Sequence, residues 1–315
     1  MKIITFEDIK NLNIKKENFY AWAKETFENK YSNVLPPKTS MKYYDGEGFV
    51  NVMPTIIPSS NVYGVKVVSR NPHSVPNLRS GLMLFDLTSN ELLSVMDADY
   101  ITAFRTGATA TLAIETLAKK NYSTIGLIGL GNICRATVLV LLSVVKNRNL
   151  TFKLYLYEGQ DNGLIDILSK YDNVKVETYD NIENTVRGSD VVVSCVTFAA
   201  DDLAKEEWFK KGALLVPIHT RGFLNCDLAF DRVIVDDRDH VKGFKNYQYF
   251  KNCHELSEVL QDSKLGRNSD EERIIAYNIG ISILDITFAK KIYDFFNKKD
   301  VGVDISGDKP LYWVE

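Results

Sequence analysis

The sequence predicts an α/β protein: a doubly wound parallel sheet inserted in a discontinuous, β-rich second domain. Three observations predict it. Residues 48–97 run in segments rich in β-branched residues, broken by turn residues. From residue 122 short apolar runs alternate with helical or polar stretches, the pattern of buried parallel strands. Residues 269–296 carry apolar side chains at helical spacing and would lead the chain back to the first domain.

Taken in order, a helix is expected over 15–30. "GFVNVMPTII" and "VYGVKVVS" read as antiparallel strands, and Pro72 and Pro76 make "RNPHSVPNLRSG" a loop. "LMLFDL", "TSN" and "ELLSVMD" read as strand, turn and strand. "STIGLIGL", "FKLYLYE", "VKVETY", "DVVVSCV", "ALLVPI" and "RVIVDD" are the parallel strands, with a helix over 132–147 after the first. Ser269 or Asp270 would cap the last helix, with Glu272 in its first turn. The expected division is 1–114 with 290–315 for substrate binding and dimerisation, and 115–289 for the nucleotide. The aromatic tail "PLYWVE" would pack on the first domain or across a subunit interface.

At 315 residues the chain can build one large or two medium domains. A net charge of −3 gives no basic excess for phosphates, so nucleic acid is not an expected partner. No window approaches the roughly 18 unbroken apolar residues of a membrane span. Four cysteines without a C-x-x-C pair suit a reduced compartment, and the charged first 20 residues hold no apolar signal core. A cytoplasmic protein is expected. No metal site is expected, because no histidine has metal-ligand spacing. His240 and His254 are read as surface residues, and His73 as a loop residue.

"IGLIGLGNICRA" carries Gly129, Gly131 and Ala136 after a strand and at the start of a helix, the context of a Rossmann dinucleotide site. Gly129 permits the tight turn and Gly131 a close approach of backbone to pyrophosphate. The amides of Asn132 and Ile133 would open the helix toward it. Glu158 lies 22 residues past Ala136, where an acid accepts from the adenosine ribose hydroxyls. Such an acid repels a 2′-phosphate and no arginine follows it nearby, so NAD is favoured over NADP; the alternative is a solvated residue at a strand end. Thr197, after "VVVSCV", falls on a loop that lines the cofactor in such sheets, while Cys195 is read as core.

With "GFVNVMP", "YGVKVV", "SGLMLFD", "LLSVMDADYITAFRTGATATLA", "TIGLIGLGNICRA" and "NIGISILD", residues 35–290 resemble the ornithine cyclodeaminase/mu-crystallin family. The resemblance implies a Rossmann domain joined to a β-rich dimerisation domain, a nicotinamide cofactor, and amino-acid, keto-acid or imine substrates in a homodimer. It implies that Arg105 and Lys66 bind the substrate carboxylate, with Lys38 of "PPKTS" in a place where members often carry arginine. Arg105 and Thr106 are counted on the cofactor side as well, since a planar fork suits carboxylate or phosphate. Thr106 and Gly107 are expected to start a helix, adding free amides and a positive dipole end. The alternatives are an Arg105 paired with Asp97 or Asp99, and a Lys66 on the solvent face.

Two departures bear on the reaction. Cyclodeaminases show a G-[AS]-D-x-P-G-K-like stretch after the fifth Rossmann strand, where this chain has "VPIHTRGFLNCD". Many carry glutamate two positions before the Met-Pro, where this chain has Asn51. Ornithine cyclisation is therefore second to a net redox reaction at a Cα–N bond; a non-catalytic binding protein is the third reading. Lys66, His219 and Asp227 are the catalytic candidates, with His219 or Asp227 managing the proton, and Arg221 would hold a second acidic group. The plainer alternatives are a His219 bonded to loop backbone and an Arg221 at a subunit contact.

Overall fold

The computed structural model describes residues 1–161 and 163–296; the tail "PLYWVE" lies outside them. The chain begins β1 (Lys2–Ile4), α1 (Phe6–Asn11), α2 (Lys16–Glu28), β2 (Thr39–Tyr43), β3 (Gly48–Ile57), β4 (Val62–Arg70), β5 (Leu78–Asp86), β6 (Leu92–Asp97) and α3 (Asp99–Leu117). It continues β7 (Thr124–Ile128), α4 (Asn132–Val144), β8 (Leu150–Tyr155), α5 (Leu164–Leu168), β9 (Val174–Tyr179), α6 (Ile182–Val186) and β10 (Val191–Ser194). Then follow β11 (Leu214–Pro217), α7 (Leu224–Ala229), β12 (Arg232–Val235), α8 (Arg238–Val241), β13 (His254–Glu255), α9 (Leu256–Gln261), β14 (Ile274–Tyr277) and α10 (Ser282–Phe295). Two compact units result: residues 1–15, 29–102 and 281–296, and residues 16–28 with 103–280. The breaks fall at 15/16, 28/29, 102/103 and 280/281, where the sequence suggested 114/115 and 289/290. Among the described residues no helix is long and apolar enough to cross a membrane.

The first unit is a six-stranded sheet in the order β1-β6-β5-β4-β3-β2. It is antiparallel except at one edge, where β1 runs parallel to β6. Alternation sorts its two faces. Met53, Ile57, Val62, Val68, Leu82 and Leu84 point to the buried face, and α10 lies across it. Gly64 makes that packing possible, since a Cβ there would come within 2.6 Å of Ile286 Cδ1. Ile3, Val95, Met83, Val65 and Pro54 form one row across the other face, and its side chains are partly or fully exposed.

The second unit holds an eight-stranded parallel sheet in the order β13-β12-β14-β11-β10-β7-β8-β9. The order reverses at β7: β8 and β9 lie to one side and β10 to the other. In such sheets ligands enter at the carboxyl ends beside that reversal.

Residues 269–296 are not one helix. Ile274 to Tyr277 fill a central slot between β11 and β12 as β14, almost fully buried, and α10 starts only at Ser282. A short apolar run fits strand or helix on periodicity alone. Gly280, at φ +85°, breaks any continuous helix here. Ser269 and Asp270 therefore cap no helix.

Helix α3 is packed by small residues. A Cβ on Gly107 would lie 2.6 Å from the Thr137 nitrogen and 2.7 Å from the Ala136 carbonyl carbon, both backbone atoms of α4. Backbone cannot swing aside, so Gly107→Ala is expected to cost about 1–3 kcal/mol through forced separation of α3 and α4. Urea denaturation checks this, and an unchanged midpoint would refute the close approach.

Candidate functional site

The glycine turn after β7 has the backbone its role requires. Gly129 sits at φ +78°, and a Cβ on it would come 2.9 Å from the Cys195 carbonyl carbon at the end of β10. Only glycine fits both demands. A Cβ on Gly131 would meet nothing within 4 Å, so that residue faces open space. Gly131 is also the N-cap of α4 and brings no capping side chain. Exposed Asn132 and half-buried Ile133 form the helix's first turn. First-turn amides of a helix lack intrahelical partners, so this end suits a diphosphate.

The sequence reading missed two residues that brace this turn. Arg135 Nε donates to the Leu130 carbonyl at 3.2 Å, and its Nη2 donates to the Gln160 carbonyl at 2.9 Å. Gln160 Oε1 accepts from the Leu130 amide at 3.1 Å. Together they tie the glycine turn to the loop after β8. The signal was a polar pair, Arg135 and Gln160, each within a few residues of a predicted ligand. Glu158 lies on that loop, exposed, at φ +46°, with Gly159 following at φ +71°. The Glu158 carboxylate beside it raises the pKa of exposed Tyr157. Thr197 is exposed beyond β10. Cys195 is half-buried and contacts the Cys134 thiol; that hydrogen bond and burial push its own pKa well up.

Arg105 is 6 % exposed, and Thr106 is buried beside it. The expected helix start is corrected: α3 begins at Asp99, so residues 105–107 lie inside the helix and offer no free amides or dipole end. Asp97 and Asp99 each accept from a nearby amide. Asp97 accepts from the Asp99 amide at 3.0 Å. Asp99 accepts from the Ser80 amide at 2.6 Å and hydroxyl at 2.9 Å. The Arg105 guanidinium rests against Gly280, just past β14.

His219 follows β11. Its Nδ1 faces the Arg221 carbonyl, which can only accept, so that nitrogen carries the proton; Nε2 accepts from the Ser194 hydroxyl at 2.7 Å. Burial pushes its pKa down to about 4. The expectation of an imidazole titrating near neutrality is corrected: it is neutral at pH 7 with both nitrogens occupied. Arg221 is exposed. Asp227, on α7, is fully buried: Oδ1 accepts from the Tyr277 hydroxyl at 2.7 Å and Oδ2 from Asn246 Nδ2 at 3.3 Å. His240, read as a surface residue, is corrected too. Its side chain is 1 % exposed and Nδ1 lies 2.7 Å from Asp237 Oδ1.

In the first unit Lys66 is wholly buried. Its Nζ pairs with Asp285 Oδ1 at 2.8 Å and donates to Thr102 Oγ1 at 3.4 Å. The solvent-face alternative is thereby excluded. Asn51 and Ser80 flank Val68 in the neighbouring row of the same face. Lys38 is half-buried just before β2. Asp285 was missed, because it sits in a helix read only for its apolar spacing.

The family model for the ornithine cyclodeaminase/mu-crystallin family matches residues 2–300. An alanine dehydrogenase of Archaeoglobus fulgidus is 26 % identical over 289 residues, 86 % of this chain and 87 % of the relative. A Δ(1)-pyrroline-2-carboxylate reductase of Bacillus cereus is 23 % identical over 295 residues, 85 % and 88 % of the two chains. Among solved structures, an archaeal alanine dehydrogenase dimer with bound NAD is similar at a TM-score of 0.84 and 25 % identity, covering 98 % of this chain and 99 % of that one.

Burial lifts the Asp227 carboxyl to about pH 6. A carboxyl raised on folding stabilises the fold fully below its unfolded value near 4, and that contribution is lost as pH rises through about 6. The span corresponds to about 2–3 kcal/mol. Asp227→Asn, which keeps an acceptor for Tyr277, is expected to flatten the fall in stability between pH 4 and 7. Thermal melts across that range read it, and parallel curves for both proteins would contradict it.

Proposed function

The chain belongs to the ornithine cyclodeaminase/mu-crystallin family, and from that premise we propose an NAD(H)-dependent oxidoreductase acting at the Cα–N bond of a small amino or imino acid. The observation that carries this reading is a guanidinium kept 6 % exposed at the carboxyl edge of a parallel sheet whose glycine turn is open. A fork of that kind, buried beside a dinucleotide site, suits a carboxylate.

The residues present fit the cofactor: Gly129, Gly131 and the first turn of α4 suit the diphosphate, and Glu158 the adenosine ribose. Thr106 and Thr197 belong to the same proposal. Bound NAD(H) supplies or accepts the hydride. The chain's own residues bind and orient. Arg105, Lys66 and Lys38 fix the carboxylate, so that Cα has one position, and positioning is much of what such a reaction needs. Thr102, which receives Lys66, precedes Arg105 by three residues in one helix. Arg221 stays the candidate for a second acidic group. His219, neutral and doubly bonded, holds the loop after β11. Asp227 braces α7 under that loop. Neither is given the proton-transfer role.

Cyclisation of ornithine without net redox is the competing outcome, and Asn51 in place of a glutamate speaks against it. A homodimer in the cytoplasm is part of the proposal. The apolar row Ile3, Val95, Met83, Val65 and Pro54 would meet a second copy, as the archaeal neighbour is a dimer. All four cysteines are free thiols.

A panel of keto acids with amines, cyclic imino acids and amino acids, followed by NADH absorbance, tests the reaction. NADH consumption with an imino acid is expected, and proline made from ornithine at constant NADH would replace the proposal. Arg105→Ala is expected to lower kcat/KM about 100-fold, the scale of a lost charge-assisted clamp; near-normal kinetics would remove the carboxylate role. Met83→Glu is expected to shift the protein toward monomer in sedimentation, and an unchanged dimer would place the interface elsewhere.

A further inference from the structure

The Arg105 side chain, from α3, ends against Gly280, and the Gly280 amide is in turn bonded to Asp236. Gly280 follows β14 at φ +85°. A Cβ on it would lie 2.5 Å from Arg105 Nη1, 2.9 Å from Nη2 and 3.1 Å from Cζ. The guanidinium is thus seated on the bare Cα of a glycine. The Gly280 amide donates to Asp236 Oδ2 at 2.7 Å. Asp236 follows β12, is fully buried, and its own amide donates to the Tyr277 carbonyl at 3.2 Å. The seat is thereby tied through the Asp236 carboxylate, and Asp236 through its own amide to the last residue of β14.

We propose that Gly280 and Asp236 are positioning residues for Arg105. Gly280 leaves the space in which the guanidinium lies, and Asp236 fixes the height and direction of that seat through the Gly280 amide. The guanidinium of an arginine has several rotatable bonds behind it, and a bidentate grip needs one plane. A seat made of fixed backbone selects that plane before the ligand arrives, which lowers the ordering cost of binding. The inference rests on the carboxylate role proposed for Arg105, and the test separates the two.

The test is a double-mutant cycle on the whole protein, using Δ(1)-pyrroline-2-carboxylate or whichever panel member turns over fastest with NADH. Gly280→Ala is expected to lower kcat/KM about 30-fold in the wild-type background and less than about threefold in the Arg105→Ala background. Backbone strain at φ +85° is present in both backgrounds and cancels. Equal losses in both would make Gly280 merely structural and overturn the proposal. An Arg105→Ala protein with normal kinetics would instead overturn the carboxylate reading, and this inference with it. If Gly280→Ala fails to fold, Asp236 carries the test. Asp236→Ala is expected to raise KM for the acid about tenfold with a smaller change in kcat. Asp236→Asn, whose amide oxygen still accepts from Gly280, is expected to recover most of that KM. A normal KM in Asp236→Ala, or no recovery in Asp236→Asn, would overturn the proposal.

Discussion

A lysine and an aspartate without solvent exposure cannot both stay charged unless each has the other. Lys66 and Asp285 meet at 2.8 Å under the sheet of the first unit. Removing either partner from such a pair typically costs about 3–5 kcal/mol, because a bare charge is left in a medium of low dielectric. The pair also joins parts far apart in sequence: β4 supplies the cation and α10 the anion. Ser282 at the start of α10 donates to the Pro54 carbonyl at 2.7 Å, and Gly64 clears the space for Ile286. Helix and sheet are therefore held by a polar clamp at two points with apolar packing around them. A buried pair is weak as a source of net stability, but it fixes register, since a shift of one residue would turn Lys66 to the opposite face.

The second unit solves a related problem by subtraction. Its central strands β10, β11, β12 and β14 are buried along their whole length, so polar groups near their carboxyl ends have to be satisfied largely from within. Gly107 removes a side chain between α3 and α4, Gly129 removes one between β7 and β10, and Gly280 removes one beneath Arg105. Each absence lets backbone or a charged group stand where a Cβ would otherwise be. Polar side chains then take the amides that result: Gln160 takes that of Leu130, and Asp236 that of Gly280.

Much of this was legible in the sequence, for reasons particular to each segment. The strands from Gly48 to Asp97 announce themselves because alternation along a half-buried sheet survives in the composition. Gly129 and Gly131 do so because a tight turn and an open approach admit few other residues. The fate of Ile274 to Tyr277 was not legible, since four buried apolar residues have no periodicity long enough to choose strand over helix. The start of α3 was misplaced because its small residues drew attention to position 106, while the backbone is already helical at Asp99. Partners were the least legible. Nothing local to Asp285 or Asp236 says that one meets Lys66 and the other Gly280, because both bonds close loops of more than forty residues.

Protonation was equally hidden. A histidine after a strand end invites the role of proton carrier, yet His219 is bonded at both nitrogens and burial holds it neutral at pH 7. Asp227 is displaced the other way: its carboxyl titrates near 6 inside an apolar cluster of Phe223, Phe230 and Tyr277. The two shifts share a cause, since desolvation penalises whichever form is charged. In mild acid the first shift withholds a positive charge at His219 that exposure would have made available, and the second keeps Asp227 protonated. Guanidinium, with its very high pKa, is the group whose charge burial does least to remove. An anion-binding role at this edge is therefore better placed on Arg105 than on any side chain that titrates.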